Sequence, residues 1–149
     1  MALGPTTYKT PNIISFIKDD FTNLEGCGAR LHAANTVALA TSQQDVPYAV
    51  VVVGAAKNGA GTQPIEDAAL ELVDQLGCAV QVLISSNAAV VAGEFLVIDS
   101  ANADGTFTGT NSQPPAQGDW LWGYALTDAD AGQQCLMRFQ PQYAWYVAP

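Results

Sequence analysis

His32 is the single histidine of the chain, and Cys27 stands five residues before it, so this is where a thiol and an imidazole come closest in sequence. A thiol nucleophile needs a base within hydrogen-bond reach, yet residues five apart in an extended segment face opposite sides of it. Zinc needs about four donors, and His32 has no Cys or Asp cluster at ligand spacing. The cysteines, Cys27, Cys78 and Cys135, form no C-x-x-C pair; buried free thiols in a reducing compartment are the expectation. The glycine-rich run 54–61, GAAKNGAG, lacks the Lys-Ser/Thr ending of a phosphate loop and the third glycine of a dinucleotide fingerprint. DSANADG, Asp99 to Gly105, has the outline of a calcium loop, but Ser100 holds the place of its first acid and Asn111 that of its bidentate Glu. Asp19/Asp20, Glu66/Asp67 and Asp128/Asp130 are paired acids in turns or a helix start, where carboxylates cap backbone N–H groups. No catalytic residue, metal ligand or cofactor follows from these patterns, and the chain reads as a non-enzyme.

Charge narrows the partners. Lys9 and Lys18 precede every acid, whereas all 14 acids lie from Asp19 onward with only Arg30, Lys57 and Arg138 to oppose them. A net charge of −9 disfavours nucleic acid, whose phosphates call for a Lys/Arg footprint. The longest apolar run, from Ala49, is far shorter than a bilayer requires, and no signal-peptide succession opens the chain. Only 13% of residues are charged while 49% are hydrophobic; subunit contacts, whose cores are depleted in charge, account for such a surface, as does a compact weakly charged β domain.

The elements that must position these residues are mostly strands. From Gly26 onward, short apolar runs rich in β-branched residues are punctuated by Gly, Asn, Asp and Pro. The spacing predicts a hairpin over 29–41 turning at Asn35, a central strand over 48–54 and a strand over 78–85. Further strands are predicted over 94–98, through the Asp104-Gly105 turn into TFTGT, over 120–126 and over 134–139. Ile65, Ala69, Leu72, Val73 and Leu76 fall at helical spacing after Pro64, with Gly77 as the exit, which predicts a helix over 64–76; AALELV also reads as a strand paired with CAVQVLI. The fold class is mainly β, a small barrel or sandwich of seven to nine strands with one short helix and an extended N-terminal arm.

Several segments together resemble the capsid decoration, or cement, proteins of tailed phages: GARLHAANTVALAT (28–41), AVQVLIS (79–85), NAAVVAGEFLVIDSANADGTF (87–107) and WGYALTDADAGQQCLMRF (122–139). The resemblance covers most of the body and rests on turn chemistry between strands; the segment 62–77 and the tail QYAWYV depart from it. It implies a virion structural protein on the outer surface of a phage capsid, made in the host cytoplasm. Its implied partners are the major capsid protein and neighbouring copies of itself, a trimer rather than a dimer, with no membrane or nucleic acid bound.

Residues 1–21 read as an arm preceding a decoration domain over 22–149. Tyr8, Pro11, Ile13, Ile14, Phe16 and Ile17 are costly to leave in water, at about 1.5–3 kcal/mol for each large side chain fully buried. They are the candidate contacts to a neighbouring subunit or capsid, or else to the chain's own body as an edge strand. Trp120, Trp122 and Tyr124 alternate, which places three rings on one face of a regular strand. Trp120, Trp122 and Trp145 are candidate interface rings or, in the alternative reading of a glycan-binding or adhesion module, sugar-stacking rings; core packing also suits them.

Overall fold

The structure, a computed structural model, describes residues 14–144. The expected hairpin is present: β2 (Gly28–Ala33) and β3 (Thr36–Leu39) pair antiparallel, with Leu31 opposite Val37. Asn35 turns it with a φ of 58°, a left-handed conformation that Asn tolerates better than most residues. β4 (Pro47–Val53) lies on the other side of β2, with Ala29 opposite Ala49. Its unbroken valine run serves two cores at once, since Val50 faces one and Val51 the other. Three short strands complete this sheet: β1 (Phe16–Ile17) runs parallel to β3, β5 (Gln63–Pro64) pairs with β1, and β6 (Glu71–Val73) pairs with β4. The order is β5-β1-β3-β2-β4-β6.

That order forces the sheet to curl. β5 and β6 occupy opposite edges, which in a flat six-stranded sheet would stand about 24 Å apart at the usual strand spacing. They are joined by residues 65–70, of which Ile65–Ala68 form the single-turn helix α1. Such a link spans no more than about 20 Å, because helical residues rise only about 1.5 Å each. The edges therefore bend toward each other into a half-barrel, and Ile17, Phe21, Ala29, Val37, Val51, Ala68 and Leu70 pack together inside it.

The second sheet comprises β7 (Ala79–Leu83), β8 (Phe95–Ile98), β9 (Phe107–Gly109), β10 (Trp120–Ala125) and β11 (Gln134–Tyr143), ordered β7-β11-β10-β8-β9. Just past β7, Ile84 bridges to Phe107 of β9, so this sheet also turns back on itself. Its core holds Trp122, Phe107, Phe139, Ile98 and Met137, joined by Val50 and Ala40 from the first sheet. Phe107 meets Trp122 edge-on at 5.3 Å between ring centroids, a geometry favoured by the ring quadrupoles. Backbone bonds stitch the sheets: Leu83 N–H donates to Gly26 O at 2.9 Å, and Gly26 N–H donates to Val51 O at 2.8 Å.

The mainly β class is thus what the chain adopts, with eleven strands among the described residues rather than the expected seven to nine. Two expectations change. The helix over 64–76 shrinks to one turn, because Ala69 takes a φ of 54° and ends it, after which β6 pairs with the open edge of β4. The strand alternative for AALELV holds in type but not in partner, which is β4 rather than β7. The second correction concerns residues 14–21, expected as part of the arm. Ile14, Ile17 and Phe21 are buried in the half-barrel core, and Leu39 N–H is held by the Asp19 carboxylate at 2.8 Å, so this stretch belongs to the body.

Candidate interaction surface

The aromatic face expected on β10 does not form. A register shift between Leu121 and Gly123 interrupts the pairing of β10 with β11, and Trp122 and Ala125, three residues apart, both enter the same core, so the side chains of β10 do not alternate regularly. Trp122 is fully buried, packed edge-on against Phe107 and tilted against Phe139. Trp120 is half-buried against Tyr143, with ring centroids 5.1 Å apart. Tyr124 is half-buried and meets the exposed Phe95 edge-on at 6.2 Å. Of the arm candidates, Ile14 and Ile17 are buried and Phe16 is partly exposed. Tyr8, Pro11, Ile13 and Trp145 lie outside the described residues.

A different apolar surface comes together at the seam between the sheets. β6 ends one sheet and β7 ends the other, and between them runs a groove of about 310 Å3 lined by Val52, Val73, Ala79 and Val80, with Glu25, Gln81 and Gln134 as its polar lining. Val52 and Val53 are each 42% exposed, and Leu76, in the connection from β6 to β7, is 71% exposed. That connection is pinned rather than loose: Gly77 N–H donates to Phe139 O at 2.7 Å, and Arg138 Nη1 donates to Gly77 O at 2.6 Å. Leu76 is therefore presented to solvent by a fixed backbone. Sequence reasoning missed this surface because Val52 and Val53 sit in a run that reads as wholly buried, and Leu76 fits a helical stripe that does not exist.

The polar groups that suggested chemistry serve the fold. Asp99, only 1% exposed, accepts hydrogen bonds from Ser85 Oγ, from Asn87 Nδ2 at 2.9 Å and from the backbone N–H of Ala101 at 2.9 Å and Asn102 at 3.2 Å. Asn102 in turn donates to Ser85 Oγ at 3.1 Å. The DSANADG run is thus a hairpin turn locked onto the loop after β7, with the Asp99 oxygens directed at protein donors. Cys27 is buried and His32 exposed; the imidazole Nδ1 lies 3.2 Å from Arg30 Nη1. Burial pushes the Cys27 thiol up to about 12, with the Asp104 and Glu25 charges adding to it, which keeps it protonated and unreactive. Cys135 is likewise buried and raised by burial, whereas Cys78 is half-buried. No group of three or more His, Cys, Asp or Glu side chains could hold a metal among the described residues.

A second concavity, of about 360 Å3, opens where α1 closes the half-barrel and is lined by Ile14, Ile65, Leu70 and Leu72 with Tyr48, Glu71 and Asp74. The Tyr48 hydroxyl donates to Asp74 Oδ2 at 3.1 Å. Burial first, and the Asp74 carboxylate second, push that phenol up to about 12. Ion pairing contributes little elsewhere: Arg30 and Asp45, at 3.6 Å, are the one salt bridge among the described residues. The chain matches no protein-family model and no curated protein sequence.

Proposed function

We propose that the chain is a virion structural protein, a decoration or cement subunit that binds the outside of a phage capsid and stabilises the lattice by burying apolar surface across subunit boundaries. The observation that carries this reading is the apolar groove between β6 and β7, walled by the exposed Val52 with Val73 and Val80, together with the exposed Leu76 in the hydrogen-bonded connection from β6 to β7. Fixed apolar side chains lose little entropy on docking, so their burial is retained as binding free energy. The body's net negative charge and sparse cations favour protein partners over nucleic acid. Self-association into a closed ring, a trimer in this reading, and a bridging role for the residues before Ile14 belong to the same proposal.

The test is co-sedimentation of the protein with phage heads that lack their decoration subunit, alongside light scattering of the protein alone. Saturable binding that protects heads against disruption, and that Val52→Asp and Leu76→Asp weaken without loss of fold, supports the proposal. Absence of saturable binding by well-folded protein overturns it. The glycan-binding alternative receives no comparable support, since Trp122 is sealed in the core and Trp120 packs against Tyr143.

A further inference from the structure

Asn58 and Gly59 lie exposed in the loop between β4 and β5. The side upstream of this pair is held. Gln63, itself buried, accepts the Asn58 N–H through Oε1; Lys57 N–H bonds the Asp20 carboxylate, and Lys57 Nζ donates to Lys18 O. Downstream the chain is open. The Gly59 N–H takes part in no hydrogen bond among the described residues, Gly59 has a φ of 77°, and the positions where Cβ atoms would stand on Gly59 and Gly61 meet nothing within 4 Å. The Asn58 side-chain amide likewise has no hydrogen-bond partner there.

We infer that Asn58–Gly59 is a site of spontaneous deamidation in the folded protein. The Gly59 backbone nitrogen, having lost its proton to solvent base, attacks Asn58 Cγ. A C–N bond closes a five-membered succinimide and the side-chain nitrogen leaves as ammonia. Water then opens the ring at either carbonyl, giving aspartate or isoaspartate at position 58 and one added negative charge. The step is fastest where the following residue has no Cβ, a free backbone N–H and room for the ring, and Gly59 supplies all three. The described asparagines elsewhere lack this combination. Asn87 and Asn102 have their side-chain amides bound in the Asp99 network and precede alanine, while Asn23, Asn35 and Asn111 precede Leu24, Thr36 and Ser112. Because Gly59 to Gly61 are surrounded by open space, the extra backbone atom of isoaspartate is absorbed in the loop, and the fold survives the change.

The full-length protein is incubated in neutral to mildly alkaline buffer, and isoaspartate is read by methyl transfer from a protein isoaspartate methyltransferase and by peptide mapping. The expected result is accumulation of isoaspartate at position 58 ahead of every other asparagine, with an unchanged circular dichroism spectrum and an acidic shift on isoelectric focusing. Asn58→Gln, an exposed conservative change, abolishes the signal, and Gly59→Ala slows it. The same incubation in denaturant gives a rate similar to that of the folded protein. The inference is overturned if Asn58 stays intact in the folded protein while it deamidates in denaturant, or if another asparagine reacts first.

Discussion

Gly28 lies against the indole of Trp122: a Cβ on Gly28 would stand 3.0 Å from Trp122 Cη2 and 2.8 Å from Ile98 Cδ1. Gly28 belongs to one sheet and Trp122 to the other, so the missing side chain is what lets the two sheets approach. Both neighbours that would have to move are buried, and dense cores yield little. Gly28→Ala is expected to destabilise the protein by about 1–3 kcal/mol through overpacking. Denaturant unfolding followed by tryptophan fluorescence checks this, since Trp122 reports the junction directly.

Asp99 is the hub of a hydrogen-bond network around the DSANADG turn. Replacing it with alanine strips an acceptor from the buried Ser85 hydroxyl and from three donors on the exposed residues Asn87, Ala101 and Asn102. Each buried donor left unsatisfied costs about 1–3 kcal/mol. Asp99→Ala should therefore lower stability by about 1–3 kcal/mol, mostly through the buried Ser85 hydroxyl, whereas Ser85→Ala, which leaves Asp99 its other donors, should cost less. Chemical denaturation of both variants gives the comparison; equal effects would contradict it.

Truncation separates the two parts of the N-terminal region. A chain starting at Ile14 keeps Ile14, Ile17 and Phe21 in the half-barrel and should unfold cooperatively. A chain starting at Thr22 loses all three, at about 1.5–3 kcal/mol each, a sum comparable to the whole stability of a small domain. Circular dichroism with thermal melting should show a folded longer chain and an unfolded or aggregating shorter one.

Thiol accessibility follows burial. Cys27 and Cys135 are sealed and their thiols raised, while Cys78 is half-buried next to the exposed Leu76. A thiol-reactive reagent under native conditions should modify Cys78 alone, and unfolding should expose the other two. Mass spectrometry of the labelled protein identifies the residue.

Alkaline pH should weaken the fold. Cys27 ionises near 9.0 in the unfolded chain and near 12 in the folded one, and Tyr48 moves from 10.0 to about 12. The folded state holds both protons more tightly, so their contribution is fully present below about pH 9. It declines as pH rises through the interval from the unfolded to the folded values. Unfolding midpoints measured from neutral pH upward should fall through that window, and Cys27→Ala should flatten the lower part of the fall. A midpoint that holds steady across it would refute the assignment.

The strands with strong local signals were legible in the sequence: the hairpin around Asn35, the valine run of β4, and the alternating stretches of β7 and β11. Their turn residues and β-branched content act within a few positions, so no distant partner is needed to read them. The fate of AALELV was not local. Its apolar spacing satisfies helix and strand alike, and the open edge of β4 decided for β6. Ile14, Ile17 and Phe21 looked like an arm because their covering residues, Val37, Val51 and Leu70, are distant in sequence. Trp122 turned inward while Trp120 and Tyr124 stayed half-buried, a difference invisible in the spacing of the rings. The apolar groove walled by Val52, Val73 and Val80 exists only where the edges of two sheets meet. Composition and turns determined that this chain would be β; hydrogen bonds between remote edges decided which apolar residues stay in water.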